Sequence, residues 1–453
     1  MLTNKLFIVS CAAVLIGLAA SCAPSGPVDT VSVEGGLVQG VLSEVNPDVM
    51  VFKGVPFAAP PVGELRWKKP QPVVPWEGVM VADHYKKICP QTLTRPLTSY
   101  PEKYRILYTE HDEDCLYLNV WTPAEAVGNP DAKLPVMFWI HGGAYRTGSG
   151  ITMSTDGDAW AQHGVILVSI NYRLNVLGFL SHPDLTAEEG GSGNYGLYDQ
   201  VAALKWTYEN IAQFGGDPEN ITIAGQSAGA GSVKSLTISP LAKPYISKAI
   251  IESGGGLSEE GALANARRTS QEELDERGKA YMLSGGFETL DQMRAASYKD
   301  IIEKCEGIFS GSPHPDGALL TSGFDESVYN CTVADIPFLI GYNDAEQQMS
   351  EASHRFCSQR AATSSKPAYE YMFCRNPGKS GGCPHSGELV YVFNTLDRRD
   401  DGSYPQADYE LSERVVTYWT NFCKYANPCG ETASNDWKAY SVSEPFTKVL
   451  DVL

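Results

Sequence analysis

Apolar residues run almost unbroken through "KLPVMFWIHGG", "GVILVSINYR", "ITIAG" and "PFLIGYN", and each run stops at a glycine or a polar residue. A strand with one wet face alternates apolar and polar positions. Continuous runs belong to strands covered on both faces, the habit of parallel sheets. Between the second and third runs, Val201, Leu204, Trp206, Tyr208 and Ile211 recur at mixed helical spacing, and "GGDPEN" breaks that helix before the next strand. Strand, helix and strand therefore alternate. This predicts an α/β fold, a central mostly parallel sheet flanked by helices, with functional residues gathered at the carboxyl ends of the strands.

The start of the chain stands outside this pattern. Met1 to Lys5 carries one positive charge, Leu6 to Leu18 is apolar but shorter than a comfortable bilayer span, and Ala19-Ala20-Ser21 is a small-residue cleavage site. Residues 1–21 read as a signal peptide. The run "GLAASCAPSG" resembles a bacterial lipoprotein signal, which implies lipidation of Cys22 and an exported chain held on the membrane of the bacterial cell envelope, in the periplasm or at the cell surface.

Composition changes the picture in three ways. The 453 residues are 43% hydrophobic, enough for a large core, and no linker, charge block or repeat divides them, so residues 22–453 are expected to form one domain. A net charge of -19 repels nucleic acid and says little about a neutral substrate. Setting aside Cys11 and Cys22, nine cysteines remain, and in an oxidising compartment they suggest disulfides. Spacing does not fix the connectivity, although Cys423/Cys429 and Cys374/Cys383 are close enough to close short loops. No Cys/His spacing resembles a zinc site, so no metal is expected.

Candidate chemistry centres on "ITIAGQSAGAGSV". Gly225-Gln226-Ser227-Ala228-Gly229 follows a strand and precedes a helix, the context in which G-x-S-x-G exposes a strained serine as a nucleophile. The chain supplies its own control in "GKSGG", which also matches but follows "CRNP" and precedes "CPHSG"; Ser380 therefore reads as a loop serine. Attack on an ester carbonyl also needs N–H donors aimed at the developing oxyanion. "IHGGAYRTGSG" offers Gly142, Gly143 and Ala144 after a strand, and Ala228 follows the serine directly.

Beyond these local readings, "FKGVPFAAPPVGELRWKKPQP", "EDCLYLNVWTP", "WIHGGAY", "NYRLNVLGFLS", "GNYGLYDQVAALKWTYENIAQFGGDPENITIAGQSAGAGSV" and "HSGELVYVF" occur in order. Together they resemble the type B carboxylesterases, the group that includes para-nitrobenzyl esterases and cholinesterases. The resemblance runs from about Val31 to "WKAYS". It implies an α/β-hydrolase fold for residues 22–453, no cofactor, a small-molecule ester substrate, and a triad in which Glu orients the histidine.

Chain order tests the triad. In an α/β-hydrolase the serine comes first, then the acid, then the histidine. Only His354 and His385 lie beyond Glu346. His354 sits in polar "SEASHRF", whereas His385 sits in "GGCPHSGELVYVF" and matches the family's histidine; Glu346 matches the acid, with Asp344 as its rival. The resemblance also pairs Cys89 with Cys115 and makes Ser253 of "IIESGG" a serine that supports the triad. No tryptophan lies between Cys89 and Cys115 where cholinesterases carry a cation-binding ring, so choline esters are not expected substrates. Glu346 and His385 stand 39 positions apart (385 minus 346), closer than in most of the family, which implies a shallower, more open site. The rival reading is a non-catalytic adhesion or binding module on the same fold; such relatives typically lose a triad member.

Overall fold

The computed structural model describes residues 29–92, 110–152, 155–259, 269–305, 311–378, 380–398, 404–432 and 434–452. The proposed signal segment and Cys22 lie outside the described residues. Thirteen strands are found among them. Three form a small sheet: β1 (Thr30–Val33), β2 (Gly36–Gln39) and β5 (Val79–Val81). The other ten form the main sheet: β3 (Val41–Leu42), β4 (Val49–Pro56), β6 (Tyr117–Pro123), β7 (Leu134–Ile140), β8 (Ile166–Ile170), β9 (Gly216–Gln226), β10 (Lys248–Glu252), β11 (Phe338–Asn343), β12 (Ala368–Phe373) and β13 (Thr447–Leu450). Their order is β13-β12-β11-β10-β9-β7-β8-β6-β4-β3. Every pairing from β8 to β13 is parallel, and β3, β4 and β6 complete the far edge antiparallel.

The unbroken apolar runs are explained by what covers the sheet. Phe138, Ile140, Val168, Ile223, Ile251 and Ile340 enter one hydrophobic cluster, while their neighbours Met137, Trp139, Leu167, Ala224, Ile250 and Leu339 enter a second on the opposite face. Alternate residues of one strand thus meet two cores. Burying each large side chain contributes about 1.5–3 kcal/mol, so both faces hold the sheet together.

Two boundaries differ from the sequence expectation. The helix runs Tyr195–Asn210, passes into a 3₁₀ turn at Ile211–Phe214 and stops where Gly215 takes φ 84°. The strand then begins at Gly216 rather than Ile221, because Leu134 pairs with Gly216 and its N–H donates to the Gly215 carbonyl at 2.9 Å. Backbone pairing recruits the polar "GDPEN" into β9.

The cysteines divide. Cys89 and Cys115 are joined by a disulfide, as the resemblance implied. Cys423 and Cys429 are not, and this corrects the sequence expectation: Cys423 lies fully buried on the helix Gln406–Tyr425, while Cys429 lies past its end with its thiol near the Trp437 carbonyl. The helix turns the first thiol into the core, away from the loop that carries the second. Cys374 and Cys383 are likewise free thiols.

Candidate active site

The carboxyl end of β9 turns directly into the helix Ala228–Ile238, and Ser227 makes the turn at φ 58°, ψ −121°. That conformation is costly for a residue with a Cβ and persists only where the surroundings impose it. Here the Ser227 N–H donates to the Glu252 carbonyl at 2.9 Å, and its own carbonyl accepts from Gly231 N–H at 3.0 Å. The two flanking glycines are required by packing. A Cβ at Gly229 would stand 2.0 Å from the Ile140 carbonyl oxygen, and one at Gly225 would stand 2.6 Å from the Gly229 backbone. No larger residue lets strand, turn and helix approach this closely. Ser380 is an exposed bend residue several positions past the end of a strand rather than at a strand-to-helix turn, in keeping with its reading as a loop serine.

His385 is brought to the site by the loop after β12. Its Nδ1 is hydrogen-bonded to Glu346 Oε1. A carboxylate only accepts, so Nδ1 carries the hydrogen and Nε2 keeps its lone pair. Glu346 follows β11, and its other oxygen accepts from Ser253 Oγ at 2.7 Å and from the Asn343 N–H at 3.0 Å. Burial alone would raise the Glu346 carboxyl, but the hydrogen bonds from His385, Ser253 and Asn343 outweigh it and hold it below its ordinary value. The bond to Glu346 is the main reason the His385 imidazole is raised above its ordinary value, against the opposing effect of burial.

The rivals are placed elsewhere. Asp344 Oδ1 accepts the Cys383 N–H at 2.5 Å and so holds the histidine loop rather than the imidazole. His354 pairs with Glu370, at 2.6 Å.

Facing Ser227 is the loop after β7. The Cβ that Gly142 lacks would come within 3.1 Å of Ser227 Cβ, so this loop lies against Ser227. Gly143 takes φ 110° and Ala144 φ 55°, and the Gly143 carbonyl accepts from the Arg146 and Thr147 N–H groups, both at 3.0 Å. The N–H groups of Gly142, Gly143, Ala144 and Ala228 donate to no other described residue. The disulfide supports this loop at one remove: Gln91, two residues past Cys89, donates to the Gly148 carbonyl and accepts the Gly148 N–H, each at 2.8 Å.

Three residues missed by the sequence reading belong here. Gln226 Nε2 lies 3.3 Å from His385 Nε2 and occupies the lone pair of that nitrogen. Ser227 Oγ has no hydrogen bond to a described residue. Glu388, three residues past His385, is buried, accepts from Asn343 Nδ2 at 2.5 Å and lies 3.4 Å from Ser253 Oγ; burial pushes its carboxyl up to about 7. Glu252, whose carbonyl holds the Ser227 N–H, buries its carboxyl completely. The available signal was an acid inside an apolar run, in "HSGELVYVF" and "AIIESGG". A cavity of about 830 Å³ lined by Phe179, Gln271, Arg277, His314 and Phe324 includes none of Ser227, His385 and Glu346.

A strained serine at a strand-to-helix turn of a mostly parallel sheet, with a histidine on a later loop contacting the residue before it, places the chain among the α/β-hydrolases. Comparison with known proteins narrows this. The carboxylesterase family pattern matches residues 27–355 and 348–452, and the chain belongs to that family. It is 33% identical to the para-nitrobenzyl esterase of Bacillus subtilis over 480 aligned positions, covering 93% of this chain and 94% of that one. It is 29% identical to human cocaine esterase over 507 positions, covering 95% and 88%. A solved para-nitrobenzyl esterase structure superposes with a TM-score of 0.79 at 29% identity, covering 93% of this chain and 96% of that one. The protein is a carboxylic ester hydrolase acting on small-molecule esters. The two matched segments overlap at 348–355, just after Glu346.

Proposed function

We propose that Ser227 is the nucleophile, His385 the general base and Glu346 the orienting acid, with the N–H groups of Gly142, Gly143, Ala144 and Ala228 forming the oxyanion hole. The observation that carries this reading is the strained Ser227 turn set in front of those open donors and beside a His–Glu pair. Catalysis begins with an exchange at His385 Nε2, in which Gln226 gives way to Ser227 Oγ; such contacts are often loose before substrate binds. His385 takes the serine proton as Oγ attacks the ester carbonyl, and Glu346 holds the resulting imidazolium. The N–H groups stabilise the tetrahedral oxyanion, each supplying about 10²–10³ in rate in comparable sites. His385 then protonates the departing alcohol, and a second round with water releases the acid.

Export, Cys22 lipidation and attachment to the bacterial cell envelope remain part of this proposal, on the strength of "GLAASCAPSG". So does the open site: the His385 side chain is 45% exposed, and only 39 positions (385 minus 346) separate acid from histidine. An open site accepts long and branched acyl groups with modest loss of kcat/KM.

The test is hydrolysis of a para-nitrophenyl ester series by the mature protein, with a phosphonate trap located by peptide mass spectrometry. Turnover with the label on Ser227 supports the assignment. Turnover with the label elsewhere overturns it, and neither turnover nor label turns the reading toward a binding module.

A further inference from the structure

Beneath the Ser227 turn, Gln226, Glu252, Gly341 and Tyr371 stand in one row across β9, β10, β11 and β12. Residues of such a row share a face of a parallel sheet, so Glu252 and Tyr371 project to the same side with no side chain between them. A Cβ at Gly341 would stand 2.3 Å from the Tyr371 ring, which shows that the ring lies over Gly341 on the strand beside Glu252. Trp419, from the helix Gln406–Tyr425, closes the cluster. Its Nε1 donates to Glu252 Oε1 at 2.7 Å, and its ring meets Tyr371 edge-on at 5.0 Å. Glu252, Tyr371 and Trp419 are each 0% exposed.

Among the described residues, the second oxygen of Glu252 has no hydrogen-bond partner, nor has the Tyr371 hydroxyl. The ionisable group bearing on Glu252 is Glu388; those bearing on Tyr371 are Glu252, Glu388, Glu346 and Cys383, with no lysine or arginine among them. A buried carboxylate with one donor and no cation carries a penalty that protonation removes. Burial and the Glu388 carboxyl both push Glu252 well above its ordinary value.

We infer that Glu252 is a positioning residue that acts as an uncharged carboxylic acid: its main-chain carbonyl holds the Ser227 N–H, while its protonated side chain, tied to Trp419 and standing beside Tyr371, fixes the end of β10. The consequence is electrostatic as well as mechanical. The strand end is anchored without a further negative charge behind the Glu346–His385 pair, where it would raise the imidazole and starve the site of free base. This rests on the assignment of Ser227 above.

The experiment compares Ser227→Ala, Glu252→Gln, Glu252→Leu and Trp419→Phe in the mature protein, with para-nitrophenyl acetate across pH. Glu252→Gln preserves shape and neutrality, so kcat stays within about threefold and the acid limb of kcat/KM within about 0.2 pH units. Glu252→Leu loses the anchor, and kcat falls about tenfold or more with KM nearly unchanged, since displacement of the nucleophile acts on the chemical step. An acid limb that drops by about half a unit or more in Glu252→Gln shows that the native residue is charged, and overturns the inference. Native kcat in Glu252→Leu overturns it as well. Should Glu252→Leu not fold, Trp419→Phe takes its place: a kcat loss of about threefold or more at constant KM supports the anchor, and native kcat overturns it. Ser227→Ala keeps the two ideas apart, because turnover in that variant defeats the serine assignment whatever the Glu252 variants do.

Discussion

Two Ser–His–Glu sets are found among the described residues, and their surroundings differ. In the first, His385 is bonded to Glu346, Ser253 braces the acid, and Gln226 rather than Ser227 meets the imidazole Nε2. In the second, Ser350 Oγ lies 3.4 Å from His354 Nε2, His354 Nδ1 lies 2.6 Å from Glu370, and Thr447 Oγ1 braces that acid at 2.8 Å. The serine–histidine contact usually sought in a triad is present in the second set and absent from the first. Backbone conformation nevertheless favours the first. Ser350 sits at φ −57°, ψ −58°, the ordinary opening of the helix Ser350–Thr363, and its Oγ accepts from Tyr342 at 2.9 Å. Ser227 is held in a strained turn near N–H groups that donate to no described residue. Strain and oxyanion donors, rather than resting proximity to a histidine, distinguish a nucleophile.

Removing each serine is the sharpest way to break that comparison. Ser227→Ala should lower kcat by about 10⁴-fold or more with the fold intact, while Ser350→Ala leaves kcat unchanged. A loss of turnover in Ser350→Ala, read from steady-state kinetics, would invert the roles. Next in size is Gly229→Ala, which drives a Cβ to 2.0 Å from the Ile140 carbonyl oxygen and must shift the turn. A misplaced nucleophile costs about 10²-fold in kcat, and native kcat in this variant would show that the close packing of strand, turn and helix does not matter.

A smaller effect lies in the pH profile. In the proposed mechanism the base is neutral His385, and its bond to Glu346 raises the imidazole above its ordinary value of 6.5. Activity is therefore lost on acidification with a midpoint above that value. Glu346→Gln removes the cause, so the midpoint should move down even as kcat falls by orders of magnitude. An unmoved midpoint in the kcat/KM profile would separate the limb from this pair.

Which of these features the sequence disclosed follows from how local each one is. The runs "KLPVMFWI" and "ILVSI" are strands because both faces of the sheet are covered, and composition alone carries that signal. Ser227 and the glycine loop are legible because a turn is made by consecutive residues. Family resemblance, not periodicity, chose Glu346 and His385, and the Asp344 contact to the Cys383 N–H shows why the choice between acids needed the fold. Gln226, Glu252 and Glu388 were missed because their meaning lies in burial against strands far away in the chain. Cys423 and Cys429 failed for the same reason, since proximity in sequence says nothing about which way a helix turns a thiol.

The smallest effect concerns what the second set does instead of catalysis. Glu370 is wholly buried on β12, and His354, on the helix after Glu346, is the imidazole that meets it. The hydrogen bond to Glu370 raises His354 above its ordinary value of 6.5, against a smaller lowering by burial. The protonated form is thus favoured in the folded state. Its contribution to stability is complete below the ordinary imidazole value and disappears as pH climbs through the raised one. The side chain is 41% exposed, so screening keeps the charge effect small. His354→Gln should therefore lower the unfolding temperature more at pH 6 than at pH 9, in calorimetry at both values, while kcat per folded molecule stays native. An equal loss at both pH values would reduce the pair to an uncharged hydrogen bond. A fall in kcat would mean that His354 supports the catalytic set across the short segment from Glu346, and the two sets would have to be treated as one.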